Sequence, residues 1–309
     1  MRIRPKAAVL GAALGTLLSA GSALAYETDP YTNRDLDLAD SLAILDEKMN
    51  VALDRIAASW SRGEDEWAFI TAIYRDVGGL HWIDKLERWA MHAPEVDKLP
   101  ISRRESVFSE LPLHAARGAR FWGLGRTMNV NGAYIGTDKI GHFLSQGRKF
   151  YSRYHRLGSI ERAAQRTATW EGLIWGRLLS GIFSNADLVA NYEGFLFYRG
   201  LFRNGVVGDK VAMFRWEDGR PVRQRSFSWA DHVNAFWDET LNPNAYADAI
   251  VPHMQRRILR LCDDFERRPE RYRVGDRDAL SARYQEIGMR DATAPEPSRF
   301  LAENCPPSP

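Results

Sequence analysis

Side chains that could share a metal ion or a proton are concentrated between residues 138 and 191. Asp138 and His142 are four positions apart, and so are Asp187 and Asn191. On a helix this spacing stacks two side chains on one face, where they can share a ligand or a hydrogen bond. A histidine combined with carboxylates suits a divalent metal ion or general acid–base catalysis.

Glu171 lies between these two pairs, in a segment with few polar neighbours. Ala168, Trp175 and Leu178 flank it at helical spacing, which predicts that the carboxyl group is buried. A buried carboxyl must be neutral, paired with a cation or bound to a metal, because burying an isolated charge is costly. Pairing with an arginine or a lysine is the structural alternative to a catalytic or metal-binding role.

The helices that carry these residues follow one another along the chain, so they are expected to pack together and face one cavity. Three side chains are both candidate catalytic residues and candidate metal ligands: Glu171, His142 and Asp138. Four further side chains are candidate binding residues: Lys139, Asp187, Asn191 and Trp175. The alternative is a solvated polar face, with Asp138 serving only to cap its helix.

The segment Asp138-Lys139-Ile140-Gly141-His142-Phe143 resembles the D-K-x-x-H-F signature of VanZ-like proteins and of some small bacterial envelope proteins. Asp138, Lys139, His142 and Phe143 match the motif. The resemblance implies a functional site at these residues and an envelope setting. It implies no particular reaction.

No G-x-S-x-G motif, Walker loop or Rossmann glycine pattern occurs in the sequence. The serine-nucleophile hydrolase, nucleotide enzyme and dehydrogenase classes are therefore unsupported. The cofactor stays open, and a divalent metal is the candidate.

The first 25 residues have the features of an export signal. A positively charged start precedes an apolar run over residues 7–18, and Ala23-Leu24-Ala25 is a small-x-small cleavage pattern, which predicts cleavage before Tyr26. The run is shorter than the roughly 20 apolar residues that span a bilayer. We therefore expect a periplasmic or secreted protein without a transmembrane segment in the mature chain.

Composition is that of an ordinary globular protein, with 45% apolar and 27% charged residues. Three of the 42 basic residues precede the expected cleavage site, which leaves 39 basic against 40 acidic side chains. This balance gives no electrostatic reason to expect nucleic acid as a partner.

The elements that must position the site are expected to be mostly helices. Apolar residues recur at steps of three and four in segments 42–60, 64–77, 102–121, 138–154, 161–179, 187–202, 229–239 and 249–266. Glycines between 121 and 136 predict a loop or short hairpin, and alternation around Asp218-Gly219 predicts a hairpin near 210–226. The expected fold class is mainly α, a multi-helix single domain with one small β-hairpin.

The chain is expected to divide into a signal peptide (1–25), a helical domain (26–290) and a Pro-rich tail (291–309). Cys262 and Cys305 are the only cysteines, and in an oxidising compartment they are expected to pair and tie the tail to the domain.

The sequence thus predicts an exported bacterial envelope protein with a polar Asp/His/Glu cavity. This cavity would bind or hydrolyse a cell-envelope component, a glycan or a lipid, with or without a metal ion. The alternative is a non-catalytic periplasmic binding or scaffold protein, in which Asp138, His142 and Glu171 form a structural network. Whether the protein is an enzyme is left open.

Overall fold

Helices make up most of the regular structure in the computed structural model, which describes residues 27–79, 83–112, 124–170, 181–293 and 295–305. The first six are α1 (Leu42–Ala58), α2 (Glu66–Val77), α3 (Lys85–His92), α4 (Asp138–Gly141), α5 (Gly147–Leu157) and α6 (Ile160–Trp170). The others are α7 (Asn185–Gly200), α8 (Val251–Leu259), α9 (Cys262–Arg267), α10 (Arg277–Tyr284) and α11 (Pro297–Asn304). The mainly α fold class is confirmed.

The strands of the described residues form four short pairs. A parallel pair joins β1 (Glu27–Thr28) to β2 (Leu124–Gly125), and β5 (Ile182–Phe183) pairs antiparallel with β8 (Ala245–Tyr246). Two hairpins are β3 (Thr127–Val130) with β4 (Ala133–Gly136) and β6 (Phe214–Glu217) with β7 (Arg220–Arg223). The expected hairpin near 210–226 is confirmed, and the glycine-rich segment before residue 138 supplies a second one.

Two hairpin turns have the chemistry that their backbones require. Asn131 and Gly132 both have positive φ, at 54° and 80°, as do Asp218 and Gly219, at 49° and 74°. Two-residue turns with left-handed backbone match the twist of the strands, and Asn-Gly and Asp-Gly favour them.

The segment from α4 to α5 crosses α7 at unusually close range. A Cβ atom built on Gly194 would lie 1.9 Å from the carbonyl oxygen of Phe143, and one on Gly147 would lie 2.6 Å from the Cα of Gly194. Only glycine fits at both positions, because any side chain would overlap backbone atoms. The crossing brings the candidate site residues of the two segments close together.

Between α4 and α5, residues His142–Gln146 form a π-helical turn. The buried Tyr198 on α7 donates a hydrogen bond to the Leu144 carbonyl within this turn, at 2.9 Å. Single π-turns of this kind often occur at functional sites. The turn shifts the side chains after His142 away from the ideal helical stripe expected for 138–154.

Two of the predicted helices are wrong, because the described residues of these segments form only 3-10 turns. Residues 102–112 contain only a 3-10 turn at Val107–Glu110, because the Ser106 and Asp29 side chains accept the backbone N–H groups of Phe108 and Val107. Segment 229–239 contains two 3-10 turns, since Asn234 accepts from the Phe236 N–H and starts a new turn.

The long helix expected over 249–266 is also two helices, α8 and α9, and Cys262 begins the second. The disulfide between Cys262 and Cys305 is present, and the two cysteines are 43 positions apart in the sequence. The tail contains α11, whose Leu301 is fully buried in a small apolar cluster with residues of α8. Among the described residues, none of the helices is long and apolar enough to cross a membrane.

The helix crossing can be tested with Gly194→Ala. The added methyl group overlaps the Phe143 backbone, so we expect the free energy of unfolding to fall by about 3 kcal/mol in chemical denaturation. Gly275→Ala is the matched control, because a Cβ there meets no atom within 4 Å. Equal stability of the two variants would contradict the close crossing.

Candidate functional site

A single buried ammonium group organises the polar centre of the molecule. Lys139 Nζ lies 2.7 Å from Asp138 Oδ2, 2.6 Å from Asp187 Oδ1 and 2.6 Å from Glu239 Oε1. The lysine side chain is 1% exposed, so water contributes little to its solvation. Three carboxylates take the place of that water.

Asp138 is placed by the hairpin that precedes it. Thr28 on β1 donates a hydrogen bond to Asp138 Oδ1 at 2.7 Å. A Cβ atom on Gly136 would lie 2.1 Å from Asp138 Oδ1 and 2.3 Å from Thr28 Oγ1. The end of β4 can therefore pass directly over this hydrogen bond only because residue 136 is a glycine.

Asp187 and Glu239 are placed by the start of α7. Ser184 caps the helix by accepting a hydrogen bond from the Asp187 N–H, and its hydroxyl donates to Glu239 Oε1 at 2.9 Å. Asn244 donates to the other oxygen, Glu239 Oε2, at 3.0 Å. One hydroxyl thus fixes the relative positions of two of the carboxylates around Lys139.

His142 faces both functional residues of α7. Its Nδ1 lies 3.0 Å from Asn191 Oδ1, and its Nε2 lies 3.3 Å from Asp187 Oδ2. An amide oxygen only accepts, so this contact is a hydrogen bond when Nδ1 carries the ring proton. In a neutral ring, Nε2 then directs a lone pair at a carboxylate, and only a proton or a metal ion between them makes this contact favourable.

The electrostatics of the cluster follow from burial and from the excess of acids. Burial alone lowers the pKa of Lys139, but Asp138, Asp187 and Glu239 outweigh it and raise the pKa well above its ordinary value. Burial would raise the pKa of Asp187, yet His142 and Lys139 leave that pKa lowered. Burial and the charge of Asp187 raise the pKa of Glu239 against the opposing effect of Lys139.

Glu27 on β1 adds a further carboxyl group close to Asp187 and Glu239. Burial is the main reason that its pKa is raised well above the ordinary value, and the charges of Asp187 and Glu239 add to the effect. The centre therefore holds more carboxyl groups than Lys139 can neutralise.

Asp138, His142 and Asp187 could hold a metal ion between them. Each offers one ligand atom, and the three atoms lie within 4.8 Å of one another. Two ligands about 2.1 Å from a tetrahedral zinc ion are about 3.4 Å apart, close to the spacing of His142 Nε2 and Asp187 Oδ2. Three protein ligands leave a coordination position for water or substrate, as in catalytic metal sites.

A second pair of buried carboxyl groups, Asp84 and Glu87, lies at the start of α3 and faces the segment from α4 to α5. Ser145 donates to Asp84, with its Oγ 2.6 and 2.8 Å from the two carboxyl oxygens, and lies 3.1 Å from the Tyr74 hydroxyl. A Cβ on Gly141 would be 2.3 Å from Glu87 Oε2 and 3.9 Å from Asp84 Oδ2.

Burial dominates the pKa of both Asp84, directly before α3, and Glu87 on α3. It raises the pKa of Asp84 to about 7, against the opposing effects of Ser145, Lys149 and His142. Burial and the charges of Asp138 and Asp84 raise the pKa of Glu87 well above its ordinary value.

Five of the seven side chains expected at the site lie together in the structure: Asp138, Lys139, His142, Asp187 and Asn191. Glu171 and Trp175 lie outside the described residues. Asp187, expected only to bind, is the third member of the metal-capable group. The alternative of a solvated face does not hold, because Asp138 and His142 are 4% and 8% exposed.

Sequence reasoning missed Thr28, Asp84, Glu87 and Glu239. The sequence carries a signal for two of them, because each is an acid close to aromatic residues. Glu239 follows Phe236 and Trp237, and Glu87 precedes Trp89. Acidic residues next to aromatic ones are expected to be buried, and a buried carboxyl group needs a hydrogen-bond or ion-pair partner.

Comparison of the chain with models of protein families, with curated proteins and with solved structures finds no match.

Removing the central ammonium tests its role. Lys139→Met leaves Asp138, Asp187 and Glu239 without their shared cation, so we expect the free energy of unfolding at pH 7 to fall by about 3–5 kcal/mol. The loss should shrink at pH 5, where the carboxyls can take up protons. Urea denaturation measures both values, and Lys85→Met, an exposed lysine bonded to one carbonyl, is the control. Similar losses in both variants would contradict the central role.

Asp84 predicts a pH dependence of stability. Its pKa is about 7 in the folded protein and about 3.9 in an unfolded chain. Between these values only the folded state holds the proton, so the contribution of Asp84 to stability is lost as pH rises from 4 to 7. Asp84→Asn should reduce this loss by about 4 kcal/mol, measured as unfolding free energy against pH.

The control for this titration is Asp54→Asn, because the Asp54 side chain is 64% exposed. A pH profile of Asp84→Asn that parallels both the wild type and this control would show that Asp84 does not titrate in that range.

Proposed function

We propose that this chain is an exported envelope protein whose Asp138, His142 and Asp187 form a divalent-metal centre. In this proposal the centre hydrolyses or binds a cell-envelope component, a glycan or a lipid. The observation that carries the metal assignment is the contact between His142 Nε2 and Asp187 Oδ2, with the other ring nitrogen, Nδ1, facing the amide oxygen of Asn191. The disulfide is consistent with export, because such bonds persist in oxidising compartments.

Charge balance supports a divalent cation rather than a monovalent one. When ionised, Asp138, Asp187 and Glu239 carry three negative charges, and Lys139 supplies one positive charge. The remaining two negative charges are held in a buried region, where an unbalanced charge is expensive. A divalent ion beside His142 would balance them.

Each residue of the cluster has a distinct part in the proposal. Lys139 holds Asp138 Oδ2 and Asp187 Oδ1, which leaves Asp187 Oδ2 for another partner, whereas Asp138 Oδ1 would be shared between Thr28 and the ion. Asn191 would fix the ring of His142 with Nε2 towards the ion, the usual role of an outer hydrogen-bond partner. A bound divalent cation supplies Lewis acidity and lowers the pKa of a coordinated water.

A second candidate function has its own observation. A doubly protonated His142 could donate to both Asn191 and Asp187, and Lys139 already joins three carboxylates. The network would then be structural, and the protein a binding or scaffold protein without a metal. Metal content separates the two candidates.

The metal centre is tested by elemental mass spectrometry on protein purified from the periplasm without an affinity tag or chelator. We expect about one equivalent of a divalent metal in the wild type and its loss in His142→Ala, because one of three ligands is removed. His155→Ala is the matched control, since His155 is exposed on α5. Folding of each variant is checked by its melting temperature.

Two outcomes would contradict the metal centre: no metal in the wild type, or equal metal in the wild type and His142→Ala. A loaded centre also predicts that EDTA lowers the melting temperature of the wild type more than that of His142→Ala. Glycan and lipid substrates are then tested for hydrolysis with and without the metal.

A further inference from the structure

One face of the molecule carries basic side chains out of proportion to the rest of the chain. Residues 147–170, which form α5 and α6, hold six lysines and arginines and only one acid, Glu161. The whole sequence, by contrast, has 42 basic and 40 acidic residues. The positive charge is therefore concentrated on these two helices.

The two helices form a hairpin that turns its apolar side inward. Gly158, with a φ of 68°, makes the turn between them. Phe150 on α5 and Ala163 and Ala164 on α6 are buried in the core. Lys149, Arg156, Arg162 and Arg166 are exposed on the outside.

The basic side chains of the two helices adjoin one another. Lys149, Arg153 and Arg156 follow each other at steps of four and three on α5, and Arg162 and Arg166 are four apart on α6. Arg153 donates a hydrogen bond to Thr167 at 2.8 Å, which places it next to Arg166. We define these five residues as the basic face.

Several surface arginines elsewhere in the protein are paired with acids. Arg55 pairs with Asp76, and Arg203 pairs with Glu66. Within the part of the chain that the structure describes, Arg156, Arg162 and Arg166 have no carboxylate partner. Their charge is thus available to an external anion.

An exposed tryptophan packs against α5 at Arg148 and Tyr151, close in sequence to Lys149 of the basic face. Trp67 on α2 is 43% exposed, its ring is stacked on Tyr151 of α5 at 6.2 Å, and the Arg148 guanidinium lies 5.0 Å from its centre. Tryptophan beside lysine and arginine is typical of surfaces that rest in the headgroup region of a bilayer.

We propose that the basic face and Trp67 dock the protein on an anionic phospholipid bilayer. The arginines and Lys149 would contact headgroup phosphates, and Trp67 would enter the boundary between headgroups and acyl chains. Several clustered basic residues are sufficient for reversible attachment to an anionic membrane surface. None of these residues belongs to the proposed metal centre.

The test is co-sedimentation of the purified protein with vesicles of equal parts phosphatidylglycerol and phosphatidylcholine, compared with phosphatidylcholine alone. We expect binding to the anionic vesicles only, weakened at high salt because screening acts on exposed charges. Arg162→Glu/Arg166→Glu should weaken it at least about tenfold. Trp67→Ser should weaken it without changing the salt dependence.

Arg256→Glu/Arg260→Glu is the matched control, with the same change in charge on two exposed arginines four positions apart, Arg256 on α8 and Arg260 directly after it. This variant and His142→Ala should bind like the wild type, so failure of the metal centre leaves this result unaffected. An equal loss of vesicle binding in the two double variants, or no binding of the wild type to anionic vesicles, would overturn the proposal. Retention of the wild type on a sulfated glycan without vesicle binding would overturn it in favour of a polyanionic glycan.

Discussion

The buried ammonium of Lys139 is the interaction on which the rest of the polar centre depends. It joins Asp138 at the start of α4, Asp187 in the first turn of α7 and Glu239 in the segment after the 3-10 turns. These residues come from parts of the chain far apart in sequence. A cation placed among three acids gives them one common position, which packing of apolar side chains could not specify as sharply.

Close backbone packing makes this arrangement possible. Gly136 allows the chain to pass over the bond between Thr28 and Asp138, and Gly194 allows α7 to contact the Phe143 backbone. On the far side of Glu239, the buried Arg34 binds both oxygens of Asp238, at 3.1 and 2.6 Å. The N-terminal segment therefore supports the same centre through both Thr28 and Arg34.

Helical periodicity predicted much of this molecule, because residues four apart share a face whatever surrounds them. It located α1, α2 and α7 and paired Asp138 with His142 and Asp187 with Asn191. It could not predict Glu239 or Thr28, which reach the site from irregular or extended segments. It also treated 138–154 as an ideal helix, whereas the π-turn at His142–Gln146 directs Ser145 towards Asp84 and His142 towards Asp187. Hydrogen bonds between side chains and the backbone replaced helix at 102–112 and 229–239.

The central claim is that a metal ion lies between His142 and the two aspartates. X-ray diffraction from crystals grown with zinc, measured on both sides of the zinc absorption edge, tests it most directly. The account predicts one anomalous peak about 2.1 Å from His142 Nε2 and within bonding distance of Asp138 and Asp187. A direct hydrogen bond between His142 and Asp187, with no anomalous peak beside them, would contradict it.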